Sequence, residues 1–224
     1  MVSDEIFAKQ TGHPEHTHFP IRVKELMERD RRRLLMHFLA LNEEERQMRF
    51  GSALPDELVT RYVQKINFAR DVLFGVYDDA LNLVGVGHLA YIPRDAKPGM
   101  DTATERERIA EFGVSVLAAY CNQGIGTKLF ERAAMHCRND DIDTLYMHCL
   151  SSNDVILHIA AKAGMSIHRE HGEAEAYLKL PPADTASMFR EVLDEQVANL
   201  DYTLKANTRA FGKFIKSFPR VKGN

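Results

Sequence analysis

The stretch from Ile109 to Cys137, IAEFGVSVLAAYCNQGIGTKLFERAAMHC, joins three kinds of chain without a spacer. IAEFGVSVLA reads as a strand, apolar and rich in β-branched residues. Gly124-Ile125-Gly126 follows within a short polar loop. GTKLFERAAMHCRND then carries Leu129, Phe130, Ala133, Ala134 and Cys137 at helical spacing. A strand that feeds a glycine loop opening a helix must fold the helix back on its sheet. The helix start offers unpaired N–H groups and a positive dipole end, both of which favour an anion. Gly124 and Gly126 let backbone come close to that anion, with no Cβ in the way.

The flanking segments fix the class. IRVKEL reads as a short strand and DRRRLLMHFLALN as a helix. NEEERQMRFG predicts a second helix, with Asn42 as N-cap and Gly51 just past its end. LPDELVTRYVQKI predicts a third, with Pro55 in its first turn and Leu58, Tyr62, Val63 and Ile66 on one face. DVLFGVYDDALNLVGVGHLAYIP is a hairpin turning at DDA, and 93–107 a polar loop with Pro and Gly. After the glycine loop and its helix come a strand (DTLYMHCL), a helix ending at Gly164, strands MSIHRE and EAEAYLKL, and a long helical pattern over 183–217. The order predicts an α/β fold of α+β type: a central, mostly antiparallel mixed sheet flanked by helices, with a long C-terminal helix. Residues 1–20 read as a flexible tail, 21–182 as the main domain and 183–224 as a helical extension. In the extension Phe189, Leu193, Val197, Leu200, Leu204, Phe211 and Ile215 form an apolar stripe that must be covered, by its own domain or by a second copy in a homodimer.

Composition narrows the function classes. A net charge of −3 offers no broad basic surface for nucleic acid. RDRRR (29–33) stands beside NEEER (42–46) and reads as a solvated helical face. The amino terminus lacks the pattern of a signal peptide, and no apolar run is long enough for a membrane span. Cys121, Cys137 and Cys149 show no metal-ligand spacing and suit reduced thiols in a cytoplasm. His13, His16 and His18 lie close together with no second cluster to complete a site, so no metal is expected.

Two familiar phosphate loops do not fit. A P-loop needs Lys then Ser/Thr after its last glycine; here Thr127-Lys128 stand in the opposite order after too short a loop. A dinucleotide fingerprint needs a third glycine where Phe130 stands. With backbone donors and no loop lysine, the loop suits a pyrophosphate that is held and does not react, as in coenzyme A.

AEFGVSVLAAYCNQGIGTKLFERA (110–133) resembles the acyl-CoA motif of the GNAT superfamily of N-acyltransferases, Arg/Gln-x-x-Gly-x-Gly/Ala after a strand written roughly AElgVsV. SSNDVILHIAAKAGMSI (151–167) resembles that family's second motif, an Asn followed by a helix ending in Gly-Phe. The resemblance covers about 70–180. It implies a GNAT-like fold whose strand splays around Val114 and Val116 and pairs its free backbone with the pantetheine arm. It also implies a pyrophosphate cradle at Asn122, Gln123, Gly124, Ile125, Gly126 and Thr127, and a contact from Asn153. Acetyl-CoA is the implied co-substrate. Three positions depart from the pattern: Cys121 replaces the Arg/Gln, Ala160 stands where many members carry a Tyr that protonates the CoA thiolate, and Met165 replaces the Phe.

An acceptor that is a primary amine is mostly protonated at neutral pH, so transfer needs a proton acceptor. Glu111, three residues before Val114, is the first candidate general base, and His88 on the second hairpin strand the next. His158 is offset by two residues from the Tyr position, which turns it away on a helix. Tyr146, Ser151 and Ser152 are nearby hydroxyls, and Cys149 lacks a His–Asp partner pattern and reads as structural. A backbone N–H near Val116 is placed to stabilise charge on the thioester oxygen. The expected reaction is direct acetyl transfer to an amine whose identity carries no motif, small molecule or protein. The alternatives are an acyl-CoA-binding regulatory module without turnover and, more remotely, a nucleotide-binding protein.

Overall fold

The computed structural model describes residues 20–92 and 107–217, with the side chains of 211–217 left aside. The sequence order holds: β1 Val23–Leu26, α1 Arg31–Ala40, α2 Glu43–Phe50, α3 Asp56–Lys65, β2 Val72–Tyr77 and β3 Leu83–Tyr91. Then follow β4 Ile109–Val116, α4 Ile125–Asn139, β5 Thr144–Leu150, α5 Asp154–Lys162, β6 Ser166–Glu170, β7 Glu173–Lys179 and α6 Thr185–Ser217. The tail over 1–20, apart from Pro20, the three histidines within it, and the loop at 93–107, apart from Glu107, lie outside the described residues.

Seven strands form one sheet in the order β1-β2-β3-β4-β5-β7-β6. Every neighbouring pair is antiparallel except β4–β5. Period-two alternation sends side chains to opposite faces, and each face has its own core. Phe112 and Val114 join Leu129, Phe130, Leu145 and Met147 under α4 and α5. Leu73, Val86, Leu34, Phe38, Val59 and Val63 form the second core under α1 and α3. Asn42 caps α2 in a reciprocal box with Glu45 (2.9 and 2.7 Å), and Gly51 ends the helix at φ 75°.

Two expectations change, and one left open is narrowed. Leu58 is exposed and Val59 takes the buried place on α3, because the core lies one residue round the helix. The run 29–33 is only partly solvated. Asp30 is buried and accepts from the Met27 amide, while Arg31 donates to the carbonyls of Val63 and Ile66 that end α3. For α6 the structure decides between the two coverings expected of its stripe. Its apolar stripe is not covered by its own domain: Phe189, Leu193, Leu200 and Leu204 are 71, 51, 62 and 58% exposed. The helix docks with its other face instead. Arg132 of α4 is buried and needs counter-charge; Glu191 and Glu195 of α6 supply it at 2.5 and 3.3 Å. His136 and Asn139 also bond Glu191, and Glu195 accepts from the amide of Glu25.

Candidate active site

β4 and β5 begin as a parallel pair and then part. Register holds for only three pairs, Ile109↔Thr144, Ala110↔Leu145 and Glu111↔Tyr146. β4 continues to pair with β3 as far as Val116↔Gly85, so from Phe112 onward only its β5-facing edge is free. A cleft of about 450 Å³ opens along that edge. Its walls are the end of α2 (Met48 to Ser52), Glu111 to Val114 of β4, Met147 to Leu150 of β5, Ile156 of α5 and Glu173. The amide of Asn153 ties α5 to α2 by donating to the Met48 carbonyl at 3.3 Å.

The glycine loop stands beyond the splay, between the end of β4 and the start of α4. Asn122 and Gly124 both have positive φ, 60° and 83°. Alternating handedness in a short loop turns amide groups inward as a concave nest. The amides of Asn122, Gln123 and Gly124 take no acceptor among the described residues, and those of Ile125, Gly126 and Thr127 open α4. Lys128 is engaged with Glu131 at 2.8 Å, so the cradle is backbone. Ile125 belongs to it by its amide only; its side chain is buried in the core. These features fit a diphosphate held without a side-chain cation. Cys121, at the Arg/Gln position, turns its thiol to the carbonyls of Val116 and Leu117 (3.7 Å each), and burial with nearby Glu45 pushes that thiol up.

Glu111 lines the cleft with an exposed side chain, on the same strand face as Gly113 and Ser115. His88 does not line it. Arg49 donates to the Tyr62 hydroxyl at 3.0 Å, and the same hydroxyl is hydrogen-bonded to His88 Nδ1 at 2.7 Å. Its Nε2 faces Asp71 at 3.7 Å. The expected base at His88 is thus walled behind Tyr62. Asn153 is committed to local structure: besides the Met48 contact, its Oδ1 caps α5 at the Ile156 amide. Ala160 is fully buried in the core, which closes the position where a hydroxyl was sought. Cys149 lines the cleft, its thiol pushed up by burial. Tyr146 donates to Glu175 at 2.9 Å.

Two groups escaped the sequence reading. His37 of α1 is buried, donating from Nδ1 to the Leu83 carbonyl (2.9 Å) and accepting at Nε2 from Ser115 on β4 (2.8 Å). Burial pulls its pKa down to about 4. Arg49, at the end of α2, lies directly over β4; its signal was a lone glycine, Gly113, inside a strand, which marks close approach.

Residues 60–165 match the model of the acetyltransferase (GNAT) family. These residues form a GNAT-family acetyltransferase domain. Solved structures agree on the fold. The GNAT domain of S. lividans PAT is 21% identical with a TM-score of 0.58, over 71% of this chain and 90% of that one. Spermidine N-acetyltransferase from Vibrio cholerae, solved with CoA and spermine, gives 20% and 0.53, over 71% and 95%. Arabidopsis thaliana NAA60, solved with a bisubstrate analogue, gives 12% and 0.55, over 73% and 100%. No curated protein matches the sequence. The GNAT domain accounts for the splay and the loop, whereas α6 lies wholly beyond the matched residues. Among the described residues no helix is long and apolar enough to cross a membrane, and no three His, Cys, Asp or Glu side chains gather as a metal site.

Proposed function

We propose that the chain transfers an acetyl group from acetyl-CoA to a primary amine by direct attack, with Glu111 as general base. The observation that carries this is the free edge of β4 opening beside Glu111, with the backbone nest at its far end. Acetyl-CoA supplies an activated acyl group on a thiolate leaving group. The amides of Asn122 to Thr127 hold its diphosphate; the edge from Phe112 to Val116 pairs with the pantetheine arm and offers an N–H to the thioester oxygen. Glu111 takes the proton from the attacking amine. His88 orients Tyr62 and, through it, Arg49. With Ala160 buried, the thiolate leaves without a dedicated acid from α5. Three free cysteines are consistent with a reducing, cytoplasmic setting.

Release of free CoA thiol over a panel of amines tests this. Glu111→Gln is expected to lower kcat by about 10²–10⁴ while leaving acetyl-CoA affinity within a few-fold. Acetyl-CoA binding with no turnover for any amine, and no effect of Glu111→Gln, would instead identify a CoA-binding module.

We also propose that the exposed stripe of α6 pairs antiparallel with a second copy. On a helix turning about 100° per residue, Arg190 and Asp201 flank the stripe on the same side. An antiparallel register centred near Gln196 sets Arg190 of each copy beside Asp201 of the other, an arrangement of complementary charge.

A further inference from the structure

Arg49 is a cation held in place with no anion. Its guanidinium carbon lies 5.9, 5.1 and 5.9 Å from the rings of Phe38, Phe50 and Tyr62. Those rings and the Tyr62 hydroxyl fix its position but leave its charge unneutralised. Among the described residues no carboxylate comes within ion-pair distance, and the buried Nε has no hydrogen-bond partner. The guanidinium sits over the middle of β4, so close that a Cβ on Gly113 would lie 2.8 Å from its carbon and both terminal nitrogens. It borders the same cleft as Glu111. Three other arginines show what pairing looks like in this fold: buried Arg132 meets Glu191, Arg138 meets Asp184 and Arg46 meets Asp56. An incompletely paired charge in a partly dry site is costly unless something that binds there completes it.

We propose that Arg49 receives a carboxylate of the acceptor, so that the acceptor is a primary amine that also carries a carboxylate. The inference rests on the acetyltransferase reading above. The geometry fits such a molecule. Glu111 and Gly113 are two residues apart on one strand face, about 7 Å along the strand. The amine lies at the Glu111 end, where its proton is taken. The carboxylate lies over Gly113, where a planar guanidinium accepts it with two parallel N–H···O bonds. Both signs of charge on one wall select against a polycationic amine, which would meet Arg49 unfavourably.

The test uses the full chain, acetyl-CoA and paired acceptors: each common α-amino acid with its methyl ester, short peptides with their C-terminal amides, and carboxylate-free amines including spermidine. Acetyl-CoA binding is measured separately by calorimetry. The expected result is turnover of carboxylate-bearing amines with kcat/KM roughly ten- to a hundredfold above their esters or amides, carried mainly in KM. Arg49→Gln should abolish that preference and Arg49→Lys should retain part of it, with acetyl-CoA affinity unchanged in both. The wild-type panel needs no variant to fold. Equal or better turnover of esters, amides or spermidine overturns the proposal and leaves the acetyltransferase reading standing. An equal loss of kcat for every acceptor in Arg49→Gln also overturns it, assigning the guanidinium to the thioester oxygen. Acetyl-CoA binding with no turnover of any acceptor, or no binding, overturns the underlying reading and the proposal with it.

Discussion

A methyl group on Gly113 would press first on the Arg49 guanidinium, at 2.8 Å, the far end of a flexible side chain. Gly113→Ala should therefore fold, with a melting temperature within a few degrees of the parent. It should move Arg49 and raise the acceptor KM while acetyl-CoA affinity, measured by calorimetry, stays put. An unchanged KM would mean the guanidinium has no part in acceptor binding. His37 makes a different prediction at the same scale. Its folded pKa of about 4 lies below its ordinary value, so the unfolded chain takes up the proton first. Its contribution to stability is complete above about pH 6.5 and is lost as pH falls towards 4, about 3 kcal/mol across the window. Thermal melts between pH 7 and 4 should show this slope, and His37→Gln should flatten it even if it lowers stability throughout.

At the scale of elements, the loop before α4 and the docking of α6 behave separately. Gly124 has a φ of 83° with open space around it, so Gly124→Ala suffers only backbone strain, about 1–2 kcal/mol. The loop relieves that strain by giving up its nest; acetyl-CoA should bind several-fold more weakly by calorimetry while the far side of the sheet keeps its hydrogen-exchange protection. The α6 interface depends on charge. Burial alone would raise the Glu191 carboxyl, yet hydrogen bonds from His136, Asn139 and Arg132 hold it at about 2. A depressed carboxyl contributes stability above its unfolded pKa, near 4.3, and loses it as pH falls towards 2. Hydrogen exchange in α6 should rise over that window ahead of the sheet. Arg132→Ala, which strands two carboxylates, should release the helix at neutral pH and cost about 3 kcal/mol.

At the scale of the whole molecule, α6 holds the domain by its polar face and presents an apolar stripe outward. Sedimentation should find a dimer that Leu193→Glu with Leu200→Glu converts to a monomer, without lowering the domain's melting temperature. A wild-type monomer at the highest soluble concentration would show that a different partner, or none, meets the stripe. The same element shows where reading the chain stops. Phe189, Leu193, Leu200 and Leu204 repeat at helical spacing, which announces a helix and an apolar face but not what that face meets. The deciding residue was Arg132, which looks in sequence like any polar position on α4, yet is buried and draws Glu191 and Glu195 to itself.

The candidate site divides along the same line. Strand, glycine loop and helix were legible because they are local: alternation, a positive-φ loop and a 3.6-residue repeat each act over a few neighbours. Glu111 was singled out by its place before Val114, and Val114 with the run from Asn122 to Thr127 by the resemblance to the GNAT acyl-CoA motif. The splay, the screening of His88 and the approach of Arg49 are long-range. They depend on which residues of α2, α3 and β3 arrive over β4, from up to about 60 positions away in the chain. By itself the sequence determined the elements, their order and the glycine loop that opens α4. Only the tertiary structure decided which charges are neutralised and which stand open, because neutralisation is a matter of distance in space and not of spacing along the chain.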